Sequence, residues 1–435
     1  MIGPAFLTHV DDPTDEAPVT QKMSFVHTDK IRENMVLAED IRDPRGRLLL
    51  KKGQKITGSH IRVFKMWGVT EVNIEGEMTV GHVAEPDSTA EEIKAAEDRL
   101  RPLFKHVDLN HPAVSELFRL SVMSRGRNDL SDAEGRIPSS PVEEPGSRPV
   151  PDVKKKIMQN NIKLPEIPSV IFELNQIMND PLASSHDIAQ VVTKSPSLAT
   201  ILLKIVNSSF FGFPSKIETI TRAVTLLGTR EIGNLAMGVT MISIFKGGPK
   251  HGFRMLSFMK HSFACAIISR ILAAQKMMAE TEQMFVSGLL HDIGRLIIYR
   301  YFPVNAKFLH NRSLKSGSLL YQEEEGCLGC RHTDIAGYLL EKWRLPATLE
   351  NNILYHHDPS NAPDPVRAAI VHVADVLVNA LGMGSSGERY VPPLDPGAWD
   401  LLELSPSCFE IISRQAASQL SAFETFFAQQ EASSR

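Results

Sequence analysis

A helical spacing of apolar residues runs through the larger, C-terminal part of the chain. Between about Lys163 and Phe427, apolar residues recur three and four positions apart, as in IFELNQIM, ATILLKIVN and IETITRAVTLLG. This spacing places them on one face of an α-helix. No alternating strand pattern of comparable strength occurs there. The sequence therefore predicts a mainly α chain with an all-α domain over residues 157–427.

A different pattern precedes this domain. Residues 22–76 alternate short β-like runs with turn signals at 43–46 and 51–53, and residues 69–74 read as a closing strand. The stretch SHIRVFKMWG reads as a helix that ends at Gly68. We expect a small α+β module here.

The remaining segments are assigned by composition. Residues 88–123 are polar and helical in pattern, and Ser88 and Glu91 resemble a capping box at their start. Residues 124–156 contain five prolines with glycine and serine between them, which is typical of a semi-stiff linker. The expected segments are a disordered leader (1–21), a helical segment (88–123), a proline-rich linker (124–156) and a tail (428–435).

Composition and charge exclude several classes of protein. The net charge is −4, which disfavours nucleic acid as the main partner. No stretch approaches 18 uninterrupted apolar residues, and the N-terminus has no basic region before an apolar core. We therefore expect neither a membrane span nor a signal peptide. Four cysteines favour a reducing cytoplasm over a disulfide framework.

The dipeptide His-Asp occurs three times, in three different contexts. His291-Asp292 lies in GLLHDIGRLII, a helical stretch with almost no polar face. At His186-Asp187, Ser185 or Asp187 is expected to start a surface helix. At His357-Asp358, the aspartate precedes a proline and is expected to end its helix, with a ligand role beside His357 as the alternative. Only the first pair is clearly placed in an apolar environment.

Other histidines and aspartates also fall on apolar helix faces. His261, for example, shares its face with Phe258 and Cys265. Taken singly, each such residue is expected to be a hydrogen-bonded core residue. Together they would leave many buried polar groups unless they converged, and a divalent cation is the simplest partner for such a set. The predicted metal ligands are His261, His291, Asp292, His332, His356, His357 and Asp375.

The pair Cys327 and Cys330, followed by His332, suggests a zinc knuckle as one interpretation. A second CxxC or a matching histidine pair does not occur nearby in the sequence. The alternative is that these residues form the loop that leads into the helix of His332.

The motif order resembles a known superfamily. A histidine, then His-Asp about 30 residues later, then further histidines and a late aspartate are similar to the HD superfamily of metal-dependent phosphohydrolases. Within it, LPEIPSVIFELNQIM, the NSSFFG segment at 207–212 and GLLHDIGRLII resemble the HDOD domain, the HD-related output domain of bacterial signalling proteins. The resemblance covers residues 160–425. Residues 22–76 resemble the small domain found ahead of HD-GYP domains.

The resemblance implies roles for particular residues. His261, His291, Asp292 and Asp375 match the core HD metal site, and His332, His356 and His357 fall where HD-GYP proteins have additional histidine ligands. Arg295 stands where active phosphodiesterases have a lysine, and the GYP stretch is absent.

Two functional hypotheses follow from the resemblance. The first is a cytoplasmic bacterial signal-transduction protein whose HDOD domain is a regulatory output module that binds a protein partner. It would retain a divalent-metal site for Fe, Mn, Mg or Zn. The alternative is a metal-dependent phosphohydrolase acting on a nucleotide or another phosphoester, with Asp292 and Arg295 as its catalytic residues.

Overall fold

The computed structural model divides the chain into two compact units, Met1–Glu85 and Pro86–Arg435. It describes residues 23–27, 31–42, 48–58, 60–61, 64, 71–75, 90–125, 152–159, 168–180, 182–207, 213, 215–244 and 255–433. The predicted leader, 1–21, lies outside these residues, as does most of the predicted linker.

The first unit contains two pairs of antiparallel strands. Strand β1 (Met23–His27) pairs with β4 (Glu71–Glu75), and β2 (Ile41–Arg42) pairs with β3 (Leu48–Leu50). Apolar side chains from these strands and the intervening loops form a small core, which includes Val26, Leu37, Ile56, Phe64, Val72 and Ile74. The helix predicted in SHIRVFKMWG falls largely on residues that the structure does not describe.

The second unit is helical, which confirms the predicted mainly α fold. Its helices are α1 (Ala90–Leu100), α2 (Pro112–Arg125), α3 (Val153–Met158), α4 (Ser169–Asn179), α5 (Ser185–Thr193), α6 (Pro196–Val206), α7 (Ile220–Leu227), α8 (Thr229–Ser243), α9 (Met255–Gln275), α10 (Thr281–Leu290), α11 (Ile293–Tyr301), α12 (Pro303–Ser316), α13 (Leu320–Leu328), α14 (His332–Lys342), α15 (Ala347–Leu354), α16 (Pro365–Leu381), α17 (Pro396–Leu402) and α18 (Cys408–Ser433).

Helix α9 lies at the centre of this unit. It is apolar on every side, and α10, α16 and α18 all pack against it. A helix that is hydrophobic all round is stable in water only when it is enclosed by others. Among the described helices, α9 is the one long and apolar enough to cross a membrane, and 67% of its apolar window is buried inside the unit. Burial of that kind is typical of a core helix.

The helical unit includes residues that composition assigned to separate segments. Helix α2, placed by composition in a separate segment, packs on α16, and its Leu117 and Leu120 join the main core. At the end of the predicted linker, α3 forms because Asp152 caps it and Val153 and Ile157 share a buried face. The predicted tail likewise begins inside α18, which continues to Ser433.

Local sequence signals set several helix ends. Ser184 caps α5, and Asp187 completes a capping box by accepting hydrogen bonds from the Ser184 amide and hydroxyl. The His186-Asp187 pair is therefore a helix start on the surface, with Ser184 rather than Ser185 as the capping residue. Gly228, at a φ of 105°, ends α7, and α8 begins at once with Thr229.

Helices α11 and α14 approach closely at Gly294. A Cβ atom on Gly294 would lie 1.9 Å from the carbonyl oxygen of His332 and 3.2 Å from the amide nitrogen of Ala336. Both obstacles are backbone atoms, so no side-chain rotation could make room. The absence of a side chain at residue 294 therefore allows the start of α14, with His332, to lie against the start of α11.

We predict that Gly294→Ala lowers the free energy of unfolding by roughly 2–3 kcal/mol, because the added methyl group forces the two helices apart. The matched control is Gly326→Ala. Gly326 is exposed in α13, and the nearest heavy atom to an added Cβ is 3.9 Å away. That change should stabilise the protein by up to about 1 kcal/mol through helix propensity. Urea denaturation measures the free energy of unfolding of each variant. Equal effects of the two substitutions would contradict the close contact between α11 and α14 at Gly294.

Candidate metal centre

The seven predicted ligands come from five parts of the helical unit. His261 lies on α9 and Asp375 on α16, while His332 is the first residue of α14. His356 and His357 follow the end of α15. The structure brings all seven together, and in six of them the residue is buried; His357 is partly exposed.

A break between two helices positions the central pair. His291 is the last residue associated with α10, and Asp292 is the residue at which α11 starts. Consecutive residues within one helix point in directions about 100° apart. Because the chain leaves helical geometry at Asp292, with φ −100° and ψ 15°, both side chains reach the same cluster.

The first cluster consists of His261, His291, Asp292 and Asp375. The Nε2 atom of His261 is 3.2 Å from Nε2 of His291 and 3.2 Å from Oδ1 of Asp375. The Nε2 atom of His291 is 3.3 Å from Oδ2 of Asp292 and 3.5 Å from Oδ1 of Asp375. Two imidazoles and two carboxylates thus direct their polar atoms at one small volume.

The second cluster consists of His332, His356 and His357. One nitrogen from each ring lies within 4.8 Å of the others. Asp292 connects the two clusters, because its Oδ1 atom is 3.1 Å from Nε2 of His332 while its Oδ2 atom faces His291. The ring of His357 stacks on Tyr321, with ring centroids 4.1 Å apart.

Hydrogen bonds to the outer ring nitrogens fix the histidine tautomers. The Nδ1 atoms of His291 and His356 lie 2.7 Å from the backbone carbonyl oxygens of Gly288 and Ile353. A carbonyl oxygen only accepts, so each Nδ1 carries the proton and each Nε2 carries a lone pair. The inward Nε2 atoms of His291 and His356 are therefore acceptors when these two imidazoles are neutral.

Several of these inward atoms have no hydrogen-bond partner among the described residues. They are Asp292 Oδ1, His332 Nε2, His356 Nε2 and His357 Nε2. The first two lie 3.1 Å apart. Buried acceptors of this kind are costly, and a shared cation is a partner that would satisfy them together.

The electrostatics of the site keep the carboxylates ionised. Burial alone would raise the pKa of Asp292, but Arg295 and His291 outweigh it and hold that pKa well below its usual range. At Asp375, the interactions with His261 and His291 outweigh burial and hold the pKa of that carboxyl well below its usual range. Burial, with repulsion from His291 and His332, lowers the pKa of His356 to about 3, so this imidazole is neutral at physiological pH.

Arg295 is enclosed by the site. Its Nη1 atom is 3.2 Å from Oδ2 of Asp292 and donates a 2.7 Å hydrogen bond to the hydroxyl of Ser386. Its Nε atom is 3.5 Å from Oε1 of Glu324. The side chain is only 3% exposed, and in this arrangement its charge balances two buried carboxylates.

Two residues of the site, Glu324 and Ser386, were not among those predicted from the sequence. Glu324 accepts hydrogen bonds from both the backbone amide and Nδ1 of His332, at 2.8 and 2.6 Å, and so orients that ring. A signal for it existed, because Glu324 lies four residues from both Leu320 and Leu328 and shares their buried face. Ser386 lies in a loop, where no periodicity could have indicated it.

Two alternatives raised by the sequence are settled by position. Asp358 is exposed and accepts hydrogen bonds from the side chain of Asn361, so it is a turn residue beside His357. Cys327 and Cys330 flank Gly329, which ends α13 in the left-handed conformation just before His332. Neither cysteine belongs to a cluster of potential metal ligands among the described residues.

Fold and site together define an all-helical domain with a buried centre of imidazoles and carboxylates. Residues 164–359 match the family model of the HDOD domain, so the chain carries an HDOD domain, as its motifs indicated. The helical unit extends beyond this match at its C-terminal end, where α16 supplies Asp375.

Two known structures share this fold at low sequence identity, and a third protein is similar in sequence. An HDOD domain protein of unknown function from Geobacter sulfurreducens has a TM-score of 0.55 at 20% identity, covering 62% of this chain and 96% of its own. A candidate signal transduction protein from Marinobacter aquaeolei VT8 has a TM-score of 0.50 at 20% identity, covering 74% and 67%. An uncharacterised protein of Treponema pallidum (strain Nichols) is 24% identical over 212 residues, or 48% of this chain and 41% of that protein.

We predict that the metal-free protein becomes less stable at alkaline pH. Burial opposes charge on His332, but Glu324 and Asp292 raise its pKa. A raised pKa contributes stability that is complete below the ordinary histidine value of about 6.5 and is lost as pH rises through the raised value. In the presence of a chelator, the urea concentration at the midpoint of denaturation should therefore decrease as the pH rises through the raised pKa of His332. His332→Gln should make this decrease smaller.

The matched control is His310→Gln. His310 is also buried, but burial lowers its pKa, so it is neutral in both states on the alkaline side. In His310→Gln the midpoint of urea denaturation should decrease with rising pH as much as it does in the unaltered protein. An equal slope in His332→Gln and in the unaltered protein would contradict the assignment.

Proposed function

We propose that the helical unit is the output module of a cytoplasmic bacterial signal-transduction protein, and that it holds divalent metal ions in the two clusters. The observation that carries the metal site is the set of buried acceptors that face one another without hydrogen-bond partners. The regulatory role is supported by the HDOD match and by the likeness to the candidate signal transduction protein of M. aquaeolei. Its partner would be another protein of the signalling pathway.

The donor set suits a divalent transition metal. Imidazole nitrogen with carboxylate oxygen is a combination that zinc, iron and manganese accept, whereas magnesium prefers oxygen alone. His261, His291, Asp292 and Asp375 would hold one ion, and His332, His356 and His357 would hold a second with Asp292 shared between them. Glu324, Gly288 and Ile353 already orient three of the rings through their Nδ1 atoms.

We predict that Asp292→Asn weakens metal binding by at least about a hundredfold, because even the loss of an outer orienting partner typically costs about 10- to 100-fold. The matched control uses the His-Asp pair on the surface, because His186 lies at an exposed helix start outside both clusters. His186→Asn should bind metal as the unaltered protein does. Metal content after dialysis, with calorimetric titration of Zn²⁺ and Mn²⁺, measures the difference.

Equal metal content in Asp292→Asn and in the unaltered protein would refute the site, as would an unaltered protein that binds neither ion. Circular dichroism and a urea denaturation curve establish that each variant is folded before its metal content is compared.

A second candidate function is the hydrolysis of a phosphoester, and one observation favours it. The two carboxylate oxygens of Asp292 point to different clusters, which is the arrangement of a bridging carboxylate in two-metal hydrolases. Divalent cations there would supply Lewis acidity that polarises a phosphoryl oxygen and activates water. Arg295 would keep Asp292 ionised, and Ser386 would hold Arg295 in place.

This candidate predicts that metal-loaded protein hydrolyses bis(p-nitrophenyl) phosphate or a cyclic dinucleotide. Asp292→Asn and a chelator should each reduce the rate to background, whereas His186→Asn should leave it unchanged. Release of nitrophenol, or chromatography of the nucleotides, measures the rate. Metal-loaded protein without turnover on either substrate would leave the regulatory module as the function of the site.

A further inference from the structure

Cys265 lies one helical turn after His261 on α9, and its side chain is completely buried. Residues four apart share one face of a helix, so the thiol and the imidazole point to the same side. The sulfur of Cys265, a ring nitrogen of His291 and a carboxylate oxygen of Asp375 all lie within 4.8 Å of one another. The thiol is therefore part of the same group of donors as two residues of the first cluster.

The atoms around the thiol are arranged as a ligand set. The outer nitrogen of His291 donates to Gly288, which turns its Nε2 lone pair inward. Oδ1 of Asp375 is held by the amide of Asn379 at 2.8 Å, which fixes the direction of this carboxylate. Oδ2 of Asp292, a residue that is only 2% exposed, lies 3.3 Å from Nε2 of His291 and 3.7 Å from Nε2 of His261. These features indicate a cation site independently of the cysteine.

We propose that Cys265 is a thiolate ligand of the metal centre and makes its first cluster a mixed nitrogen, oxygen and sulfur site. The proposal rests on the metal binding proposed above. On coordination the S–H bond breaks, the proton leaves to solvent, and Sγ donates an electron pair to the cation without any change of oxidation state. Thiolate is a soft ligand, so the centre would prefer Zn²⁺, Fe²⁺ or Co²⁺ to Mg²⁺ or Mn²⁺.

The chain offers a matched control for this cysteine. Cys330 is also buried, at 1% exposure, and it lies two residues before His332, the first residue of α14. It does not belong to the donor clusters found among the described residues. Replacing Cys330 therefore removes a buried thiol of the same domain without removing a donor.

The test is Co²⁺ binding by metal-free, full-length protein, followed by absorption spectroscopy. A thiolate bound to Co²⁺ adds a sulfur-to-metal charge-transfer band in the near ultraviolet, separate from the visible bands that nitrogen and oxygen ligands also give. We expect the charge-transfer band in the unaltered protein and in Cys330→Ser. Cys265→Ser and Cys265→Ala should keep the visible bands and lose the charge-transfer band.

The preference for Zn²⁺ over Mn²⁺, measured by competitive titration, should fall by at least about tenfold in Cys265→Ser and stay unchanged in Cys330→Ser. Bound Co²⁺ without the band in the unaltered protein overturns the proposal, and so does a band that persists in Cys265→Ser. Both results would leave Cys265 as a small apolar core residue. An unaltered protein that binds no Co²⁺, Zn²⁺ or Mn²⁺ would instead overturn the metal centre itself.

Discussion

Buried acceptor atoms lie close to one another in the two clusters, and the rest of the helical unit must compensate for their mutual repulsion. Imidazole lone pairs and ionised carboxylates repel one another in a core of low polarity, so they require protons or a cation between them. Each supporting feature serves this arrangement: Arg295 balances Asp292 and Glu324, and outer hydrogen bonds fix the rings. The close contact of α11 with α14 at Gly294 then brings His332 within reach of Asp292.

Helical periodicity allowed the fold class and the inward direction of residues such as His261 to be predicted, while the resemblance of the motif order to the HD superfamily indicated the seven residues as one set. A polar residue spaced three or four from apolar neighbours must face the core, as His261 does beside Phe258 and Cys265. The distances between helices cannot be derived from local spacing in the sequence. Only the structure therefore shows that the two carboxylate oxygens of Asp292 face different clusters. Loop residues such as Ser386 carry no periodicity and stayed hidden for the same reason.

Composition was a weaker guide to domain limits than periodicity was to the core. The polar character of α2 concealed a buried face that packs on α16, where the Ser121 hydroxyl donates a 2.8 Å hydrogen bond to the Ala380 carbonyl. The three His-Asp pairs show the same dependence on context. One pair belongs to a capped surface helix, one fills the centre, and in the third His357 faces the cluster while Asp358 lies in an exposed turn.

The burial of the centre would affect how fast a bound ion exchanges with solvent. Six of the seven clustered residues are buried and His357 is partly exposed, so the proposed ion would exchange with solvent mainly through local opening of the helices that carry the buried ligands. Exchange would then follow the rate of local opening rather than the strength of the individual bonds.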